Sequence, residues 1–231
     1  MLPTELYDGA WMVRELLLER LPVSLLVEGL GVVLMLLLGI PLGAASAFSR
    51  GRLPDRIASG LLFLAHSAPD FWLATLAVLA FHPALPIDGL HDPGIASALA
   101  AGRLSCFSPE SLADLALHLV LPVGVLTLGG LAVIARYVRA GVLEVLAKDY
   151  VRSARAQGLP ERKVRRIVLR NALTSVLTLI GVLLPAIAGG SVVVERVFNI
   201  PGMGLLAHDA ALRQDVPVAM GVVTVTALVA M

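Results

Sequence analysis

Hydrophobic positions in this chain run together in long blocks instead of alternating, and short polar stretches separate the blocks. A helix needs about 20 mostly apolar residues to cross roughly 30 Å of hydrocarbon. Five blocks approach that length. Residues 23–48 carry Glu28 as their single charge, and residues 57–81 are interrupted by His66 and Asp70. Residues 115–135 have His118 near the start, and residues 172–194 have no charge at all. Residues 216–231 are apolar to the end but too short to span comfortably, so they read as a helix cut inside its run. The pattern predicts an all-α integral membrane protein, a multi-span helix bundle of about five spans with the last truncated.

The first 22 residues differ. Glu5, Asp8, Arg14, Glu15, Glu19 and Arg20 leave no uninterrupted apolar core, which excludes both a span and a signal peptide. Trp11, Met12, Leu16 and Leu17 fit one side of a short amphipathic surface helix, which Pro22 is expected to end before the first span. A frayed polar leader is the alternative. The organisation is then an external leader over 1–22 and a membrane domain over 23–231.

Composition strengthens this picture. The chain is 58% hydrophobic and 15% charged, against about 25% charged in soluble domains. A net charge of +1 gives no reason to expect a nucleic-acid partner, and the single Cys106 excludes an intramolecular disulfide framework. Basic residues concentrate in two places: Arg50, Arg52 and Arg56 in a short loop, and ten more over 136–170. The positive-inside rule puts both in the cytoplasm. Five crossings then place the amino end outside, with external loops at 82–111 and 195–215. The chain is then expected to cross its membrane several times.

The long cytoplasmic segment has helical periodicity on both sides of one break at Gly158. Upstream, Val142, Leu146 and Tyr150 recur every four residues; downstream, Val164, Ile167 and Val168 form an apolar stripe opposite Arg162, Lys163, Arg165 and Arg166. Pro160 suits the first turn of the second helix. A helix that stops and restarts this abruptly needs a residue that takes positive φ, which glycine does freely.

These residues carry a family resemblance. The stretch Asp149-Tyr150-Val151-Arg152-Ser153-Ala154-Arg155-Ala156-Gln157-Gly158-Leu159 resembles the cytoplasmic "EAA" loop of ABC importer permeases, in the DYVRTARAKGL form of the dipeptide, oligopeptide and nickel branch. Arg170-Asn171-Ala172-Leu173 opens the next span as in that family. The run from Gly190 to Gly204, GSVVVERVFNIPGMG, is similar to its VVVExVFxxPGxG. Arg213, Asp215 and Pro217 match its RDYP segment with Gln214 inserted, and Pro69-Asp70-Phe71-Trp72-Leu73 is similar to PSFWL of the B-type subunit. Ser175 stands where many relatives have proline, and Asp70 where many have a small polar residue. Relatives also usually begin with an extra span and an external domain, which residues 1–22 do not supply.

The resemblance implies a transmembrane permease subunit of an ATP-driven importer for peptides or related small solutes, nickel complexes among them. It implies that Arg152, Ser153, Ala154, Arg155, Gly158 and Leu159 dock a separate ATPase. It further implies that Glu195, Phe198, Pro201, Gly202 and Gly204 form an external gate or docking motif. The implied partners are a second permease subunit, two ATP-binding cassette subunits, an external solute-binding protein and the lipid bilayer. The chain has no GxxxxGK[ST] phosphate loop, so no cofactor is expected on it, and a partner binds and hydrolyses the ATP.

Polar residues within the apolar blocks are costly and call for a reason. Asp70, after Pro69, either caps backbone N–H groups freed at a helix break or lines the translocation path with Phe71, where it meets a cationic group of the solute. Glu28 and His118 lie near span ends and are expected to snorkel; His66 is expected to hydrogen-bond between helices. The loop residues His82, Asp88, His91 and Asp92 fit no helix face and read as a wet surface loop, not a metal site. Gly181, Pro185, Gly189 and Gly190 read as a packing and bending face. The alternatives to a transporter are a membrane-embedded enzyme built on Asp70 and His66, four apart, or a structural membrane subunit without ATP coupling.

Overall fold

The computed structural model describes residues 10–102, 104, 105 and 107–231, without the side chains of residues 10, 11, 54, 65, 175, 179, 182–186 and 230. Readings that fall on residues 1–9, on Cys106, and on the side chains of Trp11, Ser175 and Pro185 lie outside that description. Among the described residues there are ten helices and no strand. They are α1 (Ala10–Phe48), α2 (Leu53–Ser67), α3 (Asp70–Phe81), α4 (Pro93–Ala100), α5 (Pro109–Leu146), α6 (Asp149–Ala156), α7 (Glu161–Gly189), α8 (Val192–Val197), α9 (Met203–Arg213) and α10 (Val216–Ala230). Met12–Phe48 and Pro109–Leu146 are long and apolar enough to cross a membrane.

The helix boundaries correct several expectations. Pro22 does not end a leader helix: α1 continues through it for 39 residues. A proline inside a helix removes one hydrogen bond and strains the preceding turn. The turns before it are nevertheless held, because Val13, Leu16, Leu17 and Leu21 pack against Met203, Leu206, Ala210, Val218 and Val222. The block 57–81 is two helices. Ala68 and Pro69 are extended, because a proline disfavours the helical conformation of the residue before it. His66 therefore lies in the last turn of α2 while Asp70 opens α3, and the two share no helix face. The third block continues into the basic segment as α5 and stops at Leu146, so a second break, at Ala147 and Lys148, separates Val142 and Leu146 from Tyr150.

The chain forms two compact units. One comprises the residues up to Gly31, Pro69–Leu126 and Leu184–Met231; the other comprises Val32–Ala68 and Thr127–Leu183. In the first, Val27, Ala74, Leu119, Leu121, Val123, Val125, Val194, Phe198 and Ile200 make the larger core. In the second, Ala44, Ala47, Ile134, Val138, Val142, Val151, Val164, Val168, Ala172 and Val176 make a single core. Its helices approach closely at small residues, as membrane helices do. A methyl group at Gly43 would collide with the Ala135 carbonyl and with Val138.

Candidate functional site

The turn between α6 and α7 is built by backbone chemistry. Gly158 has φ of +76°, and two hydrogen bonds close the helix end: Gly158 N–H donates to the Arg155 carbonyl at 3.0 Å and Leu159 N–H to the Ala154 carbonyl at 3.2 Å. This pair defines a Schellman motif, with the left-handed residue just past the cap. Pro160 does not enter the first turn but supplies its carbonyl to Lys163 N–H at 2.8 Å and Val164 N–H at 3.2 Å. Val151 is fully buried and Leu159 packs on the same core. Arg152, Ser153 and Arg155 are exposed, and Ala154 is half-buried. The short helix is thus fixed by one face and presents the other.

Two ion pairs dress that exposed face. Arg155 reaches across the turn to Glu161, Nη2 donating to Oε1 at 3.1 Å and Nε to Oε2 at 3.3 Å. This guanidinium holds the Glu161 carboxyl below the usual glutamate range, with Arg165 adding to the effect. Arg152 pairs with Asp149 at 3.5 Å. Val164 and Val168 are buried as the stripe predicts, whereas Ile167 is exposed. Arg165 lies over the Phe48 ring, 5.3 Å from its centroid.

A second feature of this unit is invisible to motif reading. Asp55, at the start of α2, is buried and accepts a two-pronged bond from Arg139 of α5, Nε to Oδ1 and Nη2 to Oδ2, both at 3.0 Å. Gly51 N–H donates to Oδ2 at 3.0 Å, and the Ser46 hydroxyl donates to Oδ1. These donors, the guanidinium foremost, hold the carboxyl far below the usual aspartate range. The one available signal was a lone acid inside the basic loop of Arg50, Arg52 and Arg56. Its partner lies 84 residues away.

In the other unit the run 190–204 closes around Glu195, which is 1% exposed. Leu205 N–H donates to Oε2 at 2.7 Å and the Ser24 hydroxyl donates to Oε1 at 2.7 Å. Ser24 in turn accepts from Met203 N–H at 2.7 Å. Glu195 is therefore the acid that satisfies the open N-terminus of α9, where free N–H groups and the helix dipole favour negative charge. Burial pushes its carboxyl up, while the Leu205 N–H, the Ser24 hydroxyl and the Gly204 N–H pull it back. The two motif glycines follow from this: a Cβ at Gly202 would overlap the Glu195 carboxylate, and one at Gly204 would meet Ser191 and Val192 backbone. Pro201 leads into Gly202, which is the N-cap of α9.

The same run ends α8 at a left-handed residue closed by a single long-reach bond. Asn199 has φ of +48°, and Ile200 N–H donates to the Glu195 carbonyl at 2.8 Å. Asn199 Nδ2 donates to Asp88 Oδ1 at 2.8 Å, and the carbonyl of the buried Phe198 accepts from Gly89 N–H at 2.9 Å. The loop after α3 is thereby tied to the motif. Farther on, Gln214 takes the left-handed conformation that ends α9, and Asp215 caps α10 by accepting from Val218 N–H at 3.2 Å. Pro217 lies in that helix's first turn.

The remaining polar residues divide. Asp70 and Phe71 are exposed in the first turn of α3, and Asp70 makes no capping bond, so the capping role fails. Glu28 and His118 do not snorkel; both are buried. His66 Nδ1 lies 3.4 Å from the Gly129 carbonyl, as an interhelical bond requires. His91 and Asp92 are not loose in water but meet Asp114 and His118 of α5.

Comparison with known proteins agrees with this architecture. Residues 39–231 match the family described as binding-protein-dependent transport system inner membrane component. A putative peptide permease protein of Brucella ovis is 39% identical over 210 residues, covering 90% of this chain and 63% of its own length. The oligopeptide transport system permease protein AppB of Bacillus subtilis is 35% identical, covering 94% of this chain and 66% of its own length. The dipeptide transport system permease protein DppB of the same organism is 35% identical, covering 90% and 62%. The chain thus spans somewhat under two thirds of the length of these relatives. With a model match over most of its residues, an all-helical membrane architecture and the EAA-type turn at Gly158, the chain belongs to the family of inner-membrane permease components of binding-protein-dependent ABC transport systems.

Proposed function

We propose that the chain is a permease subunit of an ATP-driven importer that carries peptides across the bacterial inner membrane, and that α6 with the turn at Gly158 docks a separate ATPase. The observation that carries the coupling role is the one-sided anchoring of α6: Val151 is buried, while Arg152, Ser153 and Arg155 face outward beside a turn whose left-handed residue is a glycine. Small residues allow close approach, and arginines pair with acidic rims. The oligopeptide and dipeptide permeases among the relatives favour peptides over nickel complexes as the solute.

In this reading ATP is bound and hydrolysed by two cassette subunits, a second permease completes the path, and an external binding protein delivers the peptide. The amino end faces outside. Asp70 and Phe71 line the path, with Asp70 meeting the ammonium of the peptide, and the Glu195-centred run frames the external gate. The test is affinity purification from membranes in mild detergent. The wild type is expected to bring down an ATPase with nucleotide-binding motifs, and Gly158→Trp is expected to lose it while remaining in the membrane. Undiminished ATPase recovery with Gly158→Trp overturns the coupling role.

A further inference from the structure

The loop after α3 and the start of α5 bring together a set of side chains that the transport reading does not use. Asp92, Asp114 and His118 each place a potential ligand atom within 4.8 Å of the others. His118 is 3% exposed, and its Nδ1 donates at 2.9 Å to the Asp114 main-chain carbonyl, which only accepts. Its Nε2 lies 3.9 Å from Asp92 Oδ1, too far for a hydrogen bond.

The spacing suits a metal ion. Zinc bonds to imidazole nitrogen and carboxylate oxygen at about 2.0–2.2 Å each in tetrahedral geometry, which sets two ligand atoms roughly 3.3–3.5 Å apart, so the 3.9 Å gap closes on one cation with a shift of about half an ångström in the exposed Asp92 carboxylate. Asp92 is available for the role. It stands at the N-cap of α4 without making the capping bond, and its side chain is 67% exposed. Asp114 is oriented from outside the cluster, since its Oδ2 accepts from His91 Nδ1 at 2.8 Å and from Asp92 N–H at 3.2 Å. Its Oδ1 lies on the His118 side, 3.3 Å from Nδ1. Fixing ligands by hydrogen bonds from behind is the usual construction of metal sites. One imidazole and two carboxylates favour a divalent ion of borderline softness.

We propose that Asp92, Asp114 and His118 bind one Zn²⁺ or a chemically similar divalent transition ion, with His91 as a positioning residue, and that the ion clips the loop after α3 to α5. Three protein ligands leave a position for water. The inference stands apart from the transport reading and needs neither a solute nor an ATPase.

The experiment uses the whole chain in detergent micelles, free of any polyhistidine tag. Co²⁺ is titrated while the visible ligand-field bands are followed, then displaced with Zn²⁺; Mg²⁺ serves as the hard-ion control. Saturation at one Co²⁺ per chain, displacement by Zn²⁺ and at least a tenfold weaker affinity in Asp92→Asn are expected. Because Asp92 is exposed, this variant keeps the fold; His118→Gln, at a buried position, is the second variant and is read beside its circular dichroism. Absence of saturable Co²⁺ and Zn²⁺ binding overturns the proposal. Equal affinity in Asp92→Asn and the wild type overturns it as well.

Discussion

The turns at Gly158 and at Asn199 stop a helix by the same device and put it to opposite uses. Each has one residue of positive φ followed by an N–H that reaches back to the last turn. At Gly158 the turn leaves charged side chains in solvent, joined across it by the Arg155–Glu161 pair. At Asn199 the turn helps enclose Glu195, whose carboxylate accepts from Ser24 and from α9. A helix stop is thus a neutral element. Whether it leaves an exposed charged face or builds a rigid frame depends on where the neighbouring carboxylate lies.

The comparison is broken most severely at Glu195. Glu195→Ala strands buried donors at Leu205 and Ser24, and each unsatisfied group costs on the order of 1–3 kcal/mol. The thermal melting point in detergent is expected to fall by many degrees, with Glu195→Gln losing less because one acceptor oxygen survives. A melting point unchanged by Glu195→Ala would remove the frame interpretation.

Asp55 gives the next effect, and its sign is fixed by the direction of its shift. An acid whose folded value lies below its ordinary 3.8 contributes stability that is fully present above that ordinary value and lost as pH falls through the depressed one. The wild type is therefore expected to lose melting temperature on acidification below about pH 4, and Asp55→Asn to start lower and change less over the same range. Parallel acid profiles for the two proteins would show that the Arg139 pair is not the source.

The smallest expected effect sharpens the comparison. Gly158→Asn retains a residue that tolerates the left-handed region, whereas Gly158→Ala adds strain of about 1 kcal/mol. No atom lies within 4 Å of a Cβ built at Gly158, so neither change meets a clash. Melting should rank wild type above Asn and Asn above Ala; a loss in Ala as large as that in Glu195→Ala would make the Gly158 turn part of the frame instead of a surface.

Much of this was legible in the chain. The apolar blocks yield the helices, and the basic segment with Gly158 yields the turn, because both signals are local and periodic. Other features depend on tertiary context. Pro22 marks a helix stop in isolation, but the packing of Leu16, Leu17 and Leu21 holds α1 through it. Ser24 offers no sequence hint of its role, since its partners Glu195 and Met203 are 171 and 179 residues away. His118 looked like a residue at a span edge, and its burial beside Asp114 depends on the fold around it.

The unbroken α1 has a consequence for the lipid around it. At 1.5 Å per residue, its 39 residues extend about 58 Å, nearly twice the roughly 30 Å of hydrocarbon. The apolar part of the helix alone reaches the length of a span, so the amino-terminal turns that carry Arg14, Glu15, Glu19 and Arg20 extend beyond the hydrocarbon, where their charges escape the cost of burial in lipid. Packing of Val13, Leu16, Leu17 and Leu21 against Met203, Leu206, Ala210, Val218 and Val222 gives that end a protein surround in place of a lipid one.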